Sequence, residues 1–137
     1  MKNYAAGILL LSWYKGRLYA LLGKDHYNTY SDFGGKADDV DFNDPVSTAS
    51  REMYEETCGC VIEKSIARCK LRFGSPIHGL SYTNKPYLMF LLFIPFSSTY
   101  IDNYTKVYKY IRTISSMSDF TEKVSLSWIP MNDVLHE

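Results

Sequence analysis

The sequence predicts an α/β (α+β) layered domain, and three features predict it. An apolar hairpin pattern opens the chain. A capped, amphipathic helix follows from residue 45. Two further strand-like runs, 85–97 and 123–130, lie beyond it. Residues 1–137 suit a single domain with one hydrophobic core, and no repeat, low-complexity tract or linker divides them.

The opening "MKNYAAGILLLSWYKGRLYALLGKD" places a Lys before an apolar run, as a secretory signal does, but no small-residue cleavage site follows. "KGR" instead separates the runs Ala5–Tyr14 and Leu18–Leu22, so the segment reads as a hairpin with Gly16 in the turn. Neither run, nor "YLMFLLFIPF" (87–96), approaches the roughly 20 apolar residues that span a bilayer. The last of these reads as a fully buried strand, and no membrane association is expected.

A polar, aromatic loop, "KDHYNTYSDFGGK", comes next, then an acidic stretch, "ADDVDFND". Asp44 can cap a helix with Pro45 at its first position. Val46, Ala49, Met53 and Thr57 recur at helical spacing, and Gly59 is a natural stop. Residues 61–73 are open between strand and helix. "NYTKVYKYIRTIS" (103–115) has helical spacing in Tyr104, Val107, Ile111 and Ile114. "KVSLSWIP" (123–130) reads as a strand and "MNDVLHE" as a short terminal helix.

Charge and cysteine content narrow the function classes. The formal net charge is zero, so no global field draws the chain to nucleic acid or an acidic membrane. Cys58, Cys60 and Cys69 make an odd count without an export signal, which fits a reducing compartment, the cytoplasm. His26, His78 and His136 have no paired metal-ligand spacing, so reduced thiols and no structural zinc are expected.

Chemistry concentrates in "SREMYEETCG" (50–59). Glu52, Glu55 and Glu56 stand at i, i+3 and i+4 on one face, opposite Val46, Ala49 and Met53. Like charges so spaced cost a few tenths of a kcal/mol each, and the helix C-terminus disfavours anions. A solvated surface is one account of them. A divalent cation is the other: Mg²⁺ takes carboxylate oxygens and keeps several waters that a phosphate can displace. The glycines of "FGGK" (33–36), placed between a strand and this helix, let backbone approach a metal or phosphate closely.

"GGK", a loop, then "REMYEE" resembles the box of the Nudix hydrolases, G-x5-E-x7-R-E-U-x-E-E-x-G-U, where U is a bulky apolar residue. Gly35, Arg51, Glu52, Met53, Glu55 and Glu56 match it. "EKVSLSWIPMNDVL" (122–135) is similar to a late segment of that family. The sequence departs in four places: the loop is two residues longer, Asn43 replaces the first Glu, Cys58 stands at the box's Gly, and Phe33 replaces a frequent Pro. Asp44 or Asp41 is left to brace Arg51 in place of that Glu.

The resemblance implies an α/β/α sandwich with a mixed central sheet. It also implies Mg²⁺-dependent hydrolysis (Mn²⁺ as substitute) of a diphosphate linkage in a small nucleotide or dinucleotide. By it, Glu55 and Glu56 are metal ligands, with the Gly35 carbonyl as a third. Glu52 is a ligand or the general base, and Arg51 orients the carboxylates. Glu122 is a further catalytic candidate or a solvated strand-edge residue. Gly34 and Lys36 are expected at the substrate. Tyr27, Tyr30 and Phe33 are open between stacking on a base and ordinary packing, and Lys24 between a phosphate contact and plain exposure. Removal of an RNA cap, with "KVYKYIR" (106–112) touching RNA, is a less favoured alternative. A catalytically silent binding module is another.

Overall fold

The structure, a computed structural model, describes residues 3–81, 84–114 and 119–135. The expectations for His136 and for the ends of the 103–115 and 131–137 segments therefore fall outside the described residues.

A long strand, β1 (Ala5–Tyr14), is the spine of a mixed sheet that has seven strands among the described residues. Lys15 and Gly16, both at positive φ (50° and 78°), turn the chain into β2 (Arg17–Asp25), which pairs antiparallel with the second half of β1. Short strands β3 (Tyr30–Ser31) and β4 (Phe33–Lys36) follow. The "FGGK" segment is thus strand rather than loop, antiparallel to the first half of β1. Next come α1 (Pro45–Glu56) and α2 (Lys64–Leu71), which settles 61–73 as helical. β5 (Ile77–Leu80) and β6 (Pro86–Phe93) form an antiparallel pair, and β6 runs parallel to β1. α3 spans Thr99–Ile111, four residues earlier than its periodicity predicts. β7 (Lys123–Pro130) pairs with the outer edge of β2 and leads into α4 (Met131–Leu135).

Alternation along the strands sorts the core into two faces. Ala6, Ile8 and Leu10 point to one side with Leu21, Phe33, Phe90, Leu92 and Leu126. There they meet Ala49 and Met53 of α1, Ala67 and Leu71 of α2, and Tyr104 of α3. Leu9, Leu11, Ala20 and Leu22 point to the other side, under Met131 and Val134 of α4. This is the α/β/α sandwich. Burial on both faces explains why β1 reads as a continuous apolar run. The two coverings are unequal, because α4 has only five residues. Leu91 and Phe93 consequently remain 42% and 55% exposed, so β6 is not the fully buried strand its sequence predicts. Among the described residues no helix is long and apolar enough to cross a membrane.

Candidate active site

Local chemistry sets α1 in place. The Asp44 carboxylate accepts from the Val46 amide (3.1 Å), Pro45 occupies the first turn, and Ala49 and Met53 are fully buried against the sheet. With that face committed, Glu52 falls beside β4. A Cβ on Gly35 would lie 2.7 Å from Glu52 Cδ, so only glycine lets this carboxyl rest against the strand. The Glu52 and Glu55 carboxyls, with Asp119 and Glu122 from before β7, open on one cleft of about 430 Å³ floored by Gly34, Gly35 and Lys36.

Arg51 is the brace of this cleft. Its Nε and Nη2 donate to the two Asp41 oxygens at 2.9 and 3.0 Å. Nη1 donates to Glu55 Oε1 (3.2 Å) and stands 3.7 Å from Glu52 Oε1; Nη2 also reaches the Lys36 carbonyl (3.1 Å). Asp41 lies in a single 3-10 turn, Asp39–Asp41, closed by a reciprocal cap with Asp38. It is 2% exposed and also accepts from the Thr48 hydroxyl (2.8 Å) and the Asp38 amide (2.9 Å). Burial alone would lift the Asp41 carboxyl; the bonds from Arg51, Asp38 and Thr48 outweigh it and hold the group below the usual carboxylate range. Asp41, through this bidentate pair, does the bracing that Asn43 cannot. Asp44, the other candidate, is occupied with its cap and with Arg72 (3.0 Å).

The three helix carboxylates are electrostatically different from Asp41. Burial, reinforced by repulsion from Glu55 and Glu122 and eased by Arg51, pushes Glu52 up to about 7. Glu55 is raised by burial, with Asp119 and Glu122 adding to it and Arg51 opposing. Glu56, 4% exposed, is raised by burial and by its hydrogen bond with Glu122. The Gly34 amide donates to Glu56 Oε1 (3.1 Å), and Lys123 offsets part of the cost. Each of the three is a carboxylate held where its charge is under-compensated.

Several sequence-predicted residues converge here: Gly34, Gly35, Lys36, Arg51, Glu52, Glu55 and Glu122 line the cleft, and Glu56 backs it. Four others do not. Phe33 is fully buried in the core and has no face free for a base. Gly23 points toward Phe33 and Lys123, so its neighbour Lys24, and Tyr30 paired with Lys24, point to the opposite side of the sheet. Tyr27 is 88% exposed in the β2–β3 turn. Sequence reasoning passed over Asp119, Lys123 and the residues of a second cavity of about 330 Å³, among them Asp32, Lys85 and Tyr87. Lys123 is 6% exposed, its Nζ donates to Ser31 Oγ (2.6 Å), and the Tyr104 hydroxyl donates to its carbonyl. A Lys beside Glu122 at a strand start was the signal for it. Tyr87 was hidden inside an apolar run.

Among the described residues no three His, Cys, Asp or Glu side chains form a ready-made metal cage. The donor set is nonetheless one of hard oxygens only, from several carboxylates around an open cleft. That chemistry fits Mg²⁺, which binds through one or two carboxylates plus waters and substrate phosphates rather than in an all-protein cage.

No protein-family model and no curated protein matches the sequence. Solved structures do match in fold. An Ap4A hydrolase binary complex from C. elegans aligns at TM-score 0.61 and 16% identity over 96% of this chain and 83% of that one. The NUDIX domain of Shewanella oneidensis NrtR, complexed with ADP ribose, aligns at 0.58 and 11% over 99% and 77%. A mutT/nudix family protein from Listeria innocua aligns at 0.53 and 16% over 98% and 82%. The chain has the Nudix fold.

Proposed function

We propose that this Nudix-fold chain is a Mg²⁺-dependent hydrolase of a diphosphate linkage in a small nucleotide or dinucleotide. The observation that carries the reading is the Arg51-braced cleft, where Glu52, Glu55, Asp119 and Glu122 face the Gly34–Gly35 backbone with Glu56 behind. Mn²⁺ can replace Mg²⁺ in such a set.

In this reading the Glu55 and Glu56 carboxylates and the Gly35 carbonyl hold the cation. When bound, it supplies charge neutralisation for the diphosphate and activation for the attacking water. Arg51, fixed on Asp41, keeps the Glu55 oxygen aimed into the cleft. Glu52 takes the water's proton as the new oxygen–phosphorus bond forms. The bridging oxygen leaves with the other phosphate, carrying the electron pair of the broken P–O bond. Lys36, at the cleft rim, is positioned for a phosphate oxygen. Glu122, beside Glu56, is the second candidate base.

The test is turnover of nucleoside triphosphates, dinucleoside polyphosphates, nucleotide sugars and capped RNA with Mg²⁺ or Mn²⁺, alongside metal-induced thermal stabilisation. Glu55→Gln and Glu56→Gln are expected to lose activity by orders of magnitude. Without metal they should be as stable as the wild type or more so, and they should gain less from Mg²⁺. Glu52→Gln should abolish turnover yet keep the Mg²⁺-induced stabilisation. Wild-type activity in the Glu55 and Glu56 variants would refute the reading, and cleavage of no substrate would favour a silent binding module.

A further inference from the structure

A second cavity adjoins the carboxylate cleft and has the opposite charge. Gly34, Gly35 and Lys36 line both spaces. The cleft sets five acids, Asp38, Glu52, Glu55, Asp119 and Glu122, against two cations. The adjoining cavity, about 330 Å³, sets three lysines, Lys36, Lys85 and Lys123, against one carboxyl, Asp32.

Its wall is built rather than incidental. Tyr87 Oη donates to Asp32 Oδ2 (2.7 Å), and Lys123 Nζ, nearly out of solvent, is fixed on Ser31 Oγ (2.6 Å). A Cβ on Gly34 would fall 2.8 Å from Gly7 Cα and collide with the Tyr87 hydroxyl, so the strand here has no room for a side chain and the tyrosine seats directly on it. Lys36 and Lys85 form no ion pair among the described residues. Beyond Asp32 and Tyr87 the wall continues into an apolar hollow of about 220 Å³ lined by Ile77, Gly79, Leu80 and Met89.

We infer that the lysine-lined cavity is an anion subsite that takes a phosphate lying beyond the diphosphate in the carboxylate cleft, so that the preferred substrates carry three or more phosphates in a chain. This rests on the diphosphate-hydrolase reading of the neighbouring cleft. Two-phosphate compounds, in which a neutral sugar follows the diphosphate, would place an uncharged group among three ammonium ions, one of them buried. A third phosphate there replaces the hydration those lysines lose with charge-assisted hydrogen bonds. The order cleft, lysine cavity, apolar hollow then follows the order diphosphate, further phosphate, and a flat or apolar terminal group.

Two measurements test this. Inorganic tripolyphosphate is titrated calorimetrically into the full chain in EDTA, where the acidic cleft repels the probe and dependence on Lys85 reports binding in the lysine cavity. The wild type is expected to bind, Lys85→Gln to bind about tenfold more weakly or less, and Lys85→Arg to retain binding. Separately, kcat/KM is compared for a nucleoside triphosphate and a nucleotide sugar; Lys85→Gln should lower the first about tenfold more than the second. Absence of tripolyphosphate binding to the folded wild type, or equal binding by Lys85→Gln, overturns the subsite. So does an equal loss on both substrates, which would leave the diphosphate-hydrolase reading standing. Inactivity on every substrate together with lysine-dependent tripolyphosphate binding would instead sink that reading and keep the subsite.

Discussion

Two parts of α1, a first from its cap Asp44 through Arg51 and a second from Glu52 to Glu56, called here its first and second halves, obey opposite electrostatic rules. In the first half every charged group has a partner. Asp44 caps the helix and meets Arg72, and Arg51 divides its donors among Asp41, Glu55 and the Lys36 carbonyl. In the second half three carboxylates share one guanidinium and one buried lysine, and all three are raised by burial. A helix built only for stability would not leave its last turn that way, since the dipole already disfavours anions there. The first half holds the geometry, and the second half is poised for a charge that arrives from outside. The same division separates the two cavities, one acidic and one basic, across the Gly34–Gly35 backbone.

The largest test of this contrast removes the brace. Arg51→Met leaves Asp41 buried with no cation, a change that costs roughly 3–5 kcal/mol in comparable sites. The pH dependence has a fixed sign. The Asp41 carboxyl is depressed in the folded chain, so its contribution is fully present above the unfolded value of about 3.9 and is lost as pH falls through the lower folded value. The gap between wild type and variant in urea melts should therefore narrow below about pH 4. A gap that is small at pH 7, or that widens in acid, would mean Asp41 and Arg51 do not hold the first half together.

A smaller effect on stability but a clear one on activity is expected at Gly35→Ala. The three atoms nearest the new Cβ all belong to the far end of the Glu52 side chain, which can swing away, so the melting temperature should fall by only a few degrees. Glu52 then leaves its seat on β4, and a displacement of about 1 Å costs on the order of 10²-fold in rate. If activity survives, Glu52 does not act from its place against Gly35. If the chain unfolds outright, the second half of α1 is a structural element like the first.

These contrasts differ in how far they could be read from sequence. The start of α1 was legible because Asp44, Pro45 and the apolar repeat act within a few residues of one another. The identity of the Arg51 partner was not. Asp41 and Asp44 were equal candidates until the 3-10 turn folded residue 41 back onto residue 51. The carboxylate face was legible from helical spacing alone. The basic cavity was not, because it draws on Asp32, Lys85, Tyr87 and Lys123, which only the sheet brings together. Lys24 is the lysine that the sequence offers for a phosphate, because it ends the second hairpin strand. Strand alternation sends Lys24 away from the α1 face, and a bulge between Lys24 and Asp25 brings Lys123 opposite Asp25. Phe33 failed in the same way, being an aromatic one residue from the site but on the core side of its strand.

The smallest expected effect concerns where the second half of α1 ends. Gly59 looks like the stop, but the left-handed residue directly after the cap is Cys58, at φ 53°. The Gly59 amide bonds to the Tyr54 carbonyl (2.9 Å) and the Cys58 amide to the Glu55 carbonyl (3.2 Å), the pair of bonds of a Schellman ending with cysteine at the position glycine prefers. The thiol offers partial compensation by donating to the Phe120 carbonyl (3.1 Å), and burial, with the neighbouring Cys60 thiol, pushes its pKa up to about 12, so it stays a donor. Cys58→Ala loses that contact and keeps the backbone cost; Cys58→Gly loses the contact and removes the cost. Glycine should therefore be more stable than alanine here by about 1 kcal/mol, the reverse of their order inside a helix. Urea melts of the two variants measure the difference directly. Alanine matching or exceeding glycine would show that the left-handed turn at Cys58 is not what terminates the carboxylate face.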